Sequence, residues 1–195
     1  MSGKPSYLGL LNAIAVGEAR AHEYLTEWIA VTPSPEVGAV LRTVAAREGE
    51  HGMSFAKRLD ELGFQVRVKD DPEHTKRLEI ARSDSSDLEK MEALGLGRLD
   101  TGDQPDIFDG LFKDHSIDIR TGELLGRYIA EERDTARLLR GCYEALAAAA
   151  DATGPSTPAG GDRLDALGDK LDAVCRAVEE VRQIVCAQSM PTAAS

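Results

Sequence analysis

Val44-Ala45-Ala46-Arg47-Glu48-Gly49-Glu50-His51-Gly52-Met53-Ser54-Phe55 is the stretch on which the reading of this chain turns. Val37, Leu41 and Val44 before its centre, and Phe55, Leu59 and Leu62 after it, recur at the three- and four-residue spacing of one helical face. Where two further apolar residues belong on that stripe, the chain places Glu48 and His51. Their i, i+3 spacing puts a carboxylate and an imidazole on the same face, close enough to reach one ion. Glu50 falls on the other side. The helix carrying them is expected over residues 36–62, with Ser34 as cap, Pro35 in the first turn and Gly63 as terminator.

Outward from this helix, proline marks the boundaries. The eight prolines fall at 5, 33, 35, 72, 105, 155, 158 and 191, and long helical patterns lie between them. A first helix is expected over 7–31, with Leu11, Ile14, Ala15, Ala21, Leu25 and Ile29 as its stripe. A third long helix is expected over 118–149, on Leu125, Tyr128, Ile129, Ala136, Leu139, Tyr143 and Leu146. A fourth, over 163–188, follows a Gly/Pro/Ser-rich linker at 151–162 and carries Leu164, Leu167, Leu171, Val174, Val178, Val181 and Val185. Residues 64–117 form the long connection between the second and third helices. They read as a helix from Pro72 to Leu94, turns at 95–97 and 101–105, and a short helical turn at 106–112. The expected fold class is therefore all-α: one domain over 1–195, an antiparallel four-helix bundle with a long crossover between helices two and three.

Composition agrees with this and excludes other classes. Among 195 residues, 34 acidic side chains face 23 basic ones, for a net charge of −11. No basic face is available for nucleic acid or an anionic membrane surface. No stretch approaches the ~20 apolar residues of a membrane span, and the N-terminus lacks the pattern of a signal peptide. The three cysteines, Cys142, Cys175 and Cys186, include no close pair, which fits a reducing, cytoplasmic setting.

Two more carboxylates interrupt apolar stripes. Glu18 has Leu11, Ile14, Ala15, Ala21 and Leu25 at helical-neighbour offsets, and Glu132 is flanked by Leu125, Tyr128, Ile129, Ala136 and Leu139. Glu131 is the alternative to Glu132, one residue out of register. Burying unpaired carboxylates costs several kcal/mol each, so a cation is expected among them. Glu23, with polar neighbours, reads as a solvated surface residue, while His22 sits at the helix edge as an additional nitrogen. On the fourth helix, Glu180 followed by Gln183 is the nearest counterpart of the Glu48/His51 pair, and that helix has no histidine. Arg182 supplies a different solution there, an ion pair in place of a metal.

Glutamate, then Glu-x-x-His, then glutamate, each on a successive long helix, resembles the ferritin-like superfamily and its rubrerythrin-like branch. The resemblance rests on Val16-Gly17-Glu18-Ala19-Arg20-Ala21, on Glu48-Gly49-Glu50-His51 and on Tyr128-Ile129-Ala130-Glu131-Glu132. It implies an iron or manganese centre on Glu18, Glu48, His51, Glu132 and Glu180, and reactivity with oxygen or peroxide. No rubredoxin-like cysteine motif is present, so electrons would come from a separate donor protein or from the iron itself. The missing second Glu-x-x-His departs from the family pattern and keeps a second reading open. In that reading the bundle is metal-free, its carboxylates and histidine form a structural polar core, and its role is binding or assembly. Dimerisation through an apolar bundle face is compatible with either.

Overall fold

The structure, a computed structural model, describes residues 5–98 and 114–153. Within them the chain forms α1 (Leu8–Val31), α2 (Pro35–Glu61), α3 (Pro72–Arg82), α4 (Asp87–Ala93), a single 3₁₀ turn (Leu96–Arg98) and α5 (Ile119–Thr153). The protein is all-helical over these residues, and α1, α2 and α5 match the first three long helices expected from sequence. The chain divides into two compact units, Met1–Asp151 and Ala152–Ser195. The expected fourth helix, with Glu180, Arg182, Gln183, Cys175 and Cys186, and the expected turn at 106–112 lie outside the described residues.

The boundaries of α2 follow the local chemistry. The Ser34 hydroxyl accepts from the Val37 amide at 3.2 Å, and Pro35 occupies the first turn, where its missing N–H leaves no bond unmade. At the other end Gly63 adopts φ 81°, a left-handed conformation open to glycine without a Cβ penalty. The Gly63 amide then reaches the Asp60 carbonyl at 2.8 Å and the Phe64 amide the Leu59 carbonyl at 2.9 Å, the paired bonds of a Schellman ending.

The expected helix from Pro72 to Leu94 is in fact two. Serine-rich sequence explains the break, because serine side chains bond to nearby backbone and compete with helix continuation. Ser83 Oγ donates to the Ile80 carbonyl at 2.7 Å, closing α3, and Ser86 starts α4 with a reciprocal cap to Glu89. The break lets Asp87 turn inward, where it accepts from Trp28 Nε1 and Thr32 Oγ1, each at 2.7 Å.

Helix directions follow from who meets whom. Gly52 abuts the backbone of Ala15 and Ala19, Gly49 the ring of His22, and Gly38 the side chain of Thr32. As one index falls the other rises, so α1 and α2 run in opposite directions. Tyr7 and Glu18 bond to Asp118 and Tyr128 respectively, so α5 runs along α1 in the same direction. Arg58 meets Thr121 and His51 meets Glu131, which sets α5 against α2. The connection between α2 and α5 therefore does not carry the chain once along the length of the helices, as the expected crossover would. It climbs beside α1, through bonds of Arg67 to Asn12, Asp71 to Arg20 and His74 to Glu23, and the chain re-enters α5 at the end where α2 stopped.

Two apolar clusters result. Tyr7, Leu8, Leu11, Ile14, Phe55, Leu59, Leu125 and Ile129 fill one end. Tyr24, Leu25, Trp28, Leu41, Val44, Ala81, Met91 and Leu139 fill the other. By position along α1, α2 and α5, residues 18, 48, 51 and 132 lie between the two. No helix among the described residues is long and apolar enough to cross a membrane.

Candidate metal centre

Three helices deliver the four residues. Glu18 comes from α1, Glu48 and His51 from α2, and Glu132 from α5; one ligand atom of each lies within 4.8 Å of all the others. Glu18, Glu48 and His51 are buried and Glu132 is half-buried. The close approach of α1 to α2 makes this geometry, and glycine permits it: a Cβ on Gly52 would lie 3.1 Å from the Ala19 amide nitrogen and 3.4 Å from the Ala15 carbonyl. A Cβ on Gly49 would meet His22 Nδ1 at 2.9 Å.

His51 is gripped from both sides by consecutive residues of α5. Its Nε2 lies 2.7 Å from Glu131 Oε2, while Nδ1 faces Glu132 Oε1 at 3.4 Å and Glu18 Oε2 at 3.8 Å. Tyr128 donates its hydroxyl to Glu18 Oε1 at 2.9 Å and stands edge-on to the His51 and Phe55 rings. The remaining atoms aimed at the centre, Glu18 Oε2, His51 Nδ1 and Glu132 Oε1, are buried and make no hydrogen bond. Buried polar atoms are nearly always satisfied, and two carboxylate oxygens and one imidazole nitrogen left without a bond around one point form an arrangement that an ion satisfies when the nitrogen gives up its proton. Three carboxylates and one imidazole form an oxygen-rich donor set, suited to manganese or ferrous iron. The residues present therefore fit the group that the resemblance implies.

Electrostatics record the same crowding. Burial pushes the Glu48 carboxyl up, and the adjoining Glu18 carboxylate adds to it, to about 10. Burial acts to raise Glu18 as well, but the closeness of His51 and Glu48 and the bond from Tyr128 outweigh it and hold that carboxyl below its ordinary value. The two glutamates thus keep one proton between them, seated on Glu48. Burial would lower His51, and Glu132, Glu18 and Glu131 overcome it, bringing the imidazole to about 10. Tyr128 is raised by burial and by the Glu18 charge.

The other candidates fall outside the cluster. His22 is exposed, and its Nδ1 lies 2.6 Å from the Ala45 carbonyl, so it joins α1 to α2 instead of adding a ligand. Glu23 is exposed as expected and is bridged by His74 Nε2 at 2.9 Å. Glu131 and Glu132, alternatives by register, both face His51, on opposite nitrogens. What periodicity did not reveal is the support of Glu131: Arg127 Nε donates to its Oε1 at 3.0 Å and bridges on to Glu50 of α2. The signal available was the Arg127/Glu131 pair at i, i+4, a spacing that joins side chains along one helix edge. A hollow of about 760 Å³ lies against α1 at Ala15, Val16 and Ala19, and none of the four cluster residues lines it.

No protein-family model, curated protein or solved structure matches this chain.

Proposed function

We propose that this protein binds an iron or manganese ion on Glu18, Glu48, His51 and Glu132, and that it is an oxygen- or peroxide-reactive oxidoreductase of ferritin-like, rubrerythrin-like character. The convergence of the three unsatisfied buried atoms, Glu18 Oε2, His51 Nδ1 and Glu132 Oε1, carries this reading. A bound ion of this kind supplies open coordination positions and one-electron chemistry. The chain's own residues hold that ion, exclude water through the apolar clusters on either side, and keep the Glu18 carboxylate oriented through the Tyr128 hydroxyl. Electrons are proposed to reach the centre from a separate donor protein. The ligand segments support the family resemblance; the direction of α5 relative to α2 does not match the one-crossover connection expected with it.

One observation favours the alternative, a metal-free polar core with a binding or assembly role. The proton on Glu48 and the charge on His51 already offset much of the buried negative charge. Metal analysis of protein from iron- and manganese-supplemented cells, repeated on Glu48→Ala with His51→Ala, separates the two readings. About one ion per chain, lost in the double variant, is the expected result. Equal sub-stoichiometric metal in both samples would sink the metal reading.

A further inference from the structure

We infer that Glu131 is a positioning residue for His51: it holds the imidazole with Nε2 protonated and Nδ1 presented to the ion, while Arg127 and Glu50 hold Glu131 in place. The inference rests on the metal-binding reading above and assigns a role to a residue outside the four ligands.

A neutral imidazole has one donor and one acceptor nitrogen, and the partner of one nitrogen decides the state of the other. Once the imidazole is neutral, as binding an ion requires, a carboxylate that only accepts keeps the remaining proton on Nε2, 2.7 Å from Glu131 Oε2, and leaves the Nδ1 lone pair facing Glu18 and Glu132. Glu131 has no oxygen left for an ion. Its Oε2 is committed to His51 and its Oε1 to Arg127 Nε at 3.0 Å. Arg127 in turn bridges to Glu50, the residue before His51, so His51, Glu131, Arg127 and Glu50 close a ring of contacts between α2 and α5. Consecutive helical residues point about 100° apart. Glu131 and Glu132 therefore reach opposite nitrogens of one ring, one as positioner and the other as ligand.

The test is Mn²⁺ affinity of the full chain, read from the electron paramagnetic resonance of free Mn²⁺, for wild type, Glu131→Ala, Glu131→Gln and Glu132→Ala. Melting temperatures of the metal-free proteins accompany it to show that each variant folds. Removing an outer partner of a metal-bound histidine weakens binding about 10–100-fold, and that loss is expected for Glu131→Ala. Glu131→Gln keeps an amide oxygen that accepts from Nε2–H and is expected to stay within about fivefold of wild type. Glu132→Ala, losing a ligand, is expected to bind more weakly than Glu131→Ala. Wild-type affinity in Glu131→Ala, or a Glu131→Gln as weak as Glu131→Ala, would overturn the inference alone. A wild-type chain that takes up neither Mn²⁺ nor, in a parallel anaerobic titration, Fe²⁺ would overturn the metal-binding reading and this inference together.

Discussion

Glu48 is buried against a second carboxylate, and the consequence is a pH dependence of unusual sign. Its carboxyl stands at about 10 in the folded chain against an ordinary 4.5, so between those values the folded state holds a proton that the unfolded state has released. Stability then falls as pH rises. His51, at about 10 against 6.5, acts in the same direction: its stabilising charge is fully present below 6.5 and is lost towards 10. Denaturant midpoints of the metal-free protein are expected to decline steadily from about pH 5 to pH 9, by an amount on the order of 1 kcal/mol per pH unit. Glu48→Gln, which carries a neutral side chain permanently, is expected to flatten that decline and to weaken Mn²⁺ binding at least about tenfold; a slope unchanged from wild type would refute this assignment. Glu48 and His51 were legible in the sequence because they sit in the middle of an apolar stripe. That Glu131 would face His51 together with Glu132, and not in its place, was not legible, because Glu131 lies at the edge of its helix. Periodicity locates the centre of a face, but a bond across an interface depends on where the neighbouring helix is docked.

At the scale of the element, the seam between α1 and α2 is where small size counts. Gly52→Ala would place a methyl group against the backbone of Ala15 and Ala19, neither of which can rotate away. Overpacking of this kind costs about 1–3 kcal/mol, and because the separated helices also carry Glu18 away from His51, metal affinity is expected to fall with the melting temperature. Calorimetry with a parallel Mn²⁺ titration would reveal both losses. Helix starts and stops were readable wherever the cap chemistry was unambiguous, as at Ser34-Pro35 and Gly63. They were misread at Ser83–Ser86, where helix-compatible apolar spacing continued while the serines supplied a better local alternative. Ser86→Ala, which removes the reciprocal cap of α4, is expected to cost about 1 kcal/mol, measurable by chemical denaturation.

For the whole molecule, an ion held from three helices would be a cross-link. At a free concentration 100 times its dissociation constant, it stabilises the fold by about 2.7 kcal/mol. For a chain of this size that is roughly 5–10 °C in melting temperature, reversed by a chelator. Loading also displaces the protons held by Glu48 and His51, so about two protons per ion are expected in a weakly buffered titration near neutral pH. Release of none would show that the ion sits elsewhere. The all-helical class could be read from the sequence, but the path of the long connection could not. Apolar periodicity says which face of a helix is buried and nothing about which way the helix points.

That path has a structural consequence. Arg58 near the end of α2 bonds to Asp118 and Thr121 at the start of α5, so residues 64–117 leave and rejoin the helices at one pole. Between those two points the chain behaves as a graft on a hairpin: α2 and α5 would remain neighbours if a short turn replaced the whole excursion. A chain trimmed in this way would keep Glu18, Glu48, His51 and Glu132 on its helices and lose Leu78, Ala81 and Met91 from the cluster that holds Trp28. The four clustered residues and the cover over Trp28 are thus carried by separate stretches of the chain.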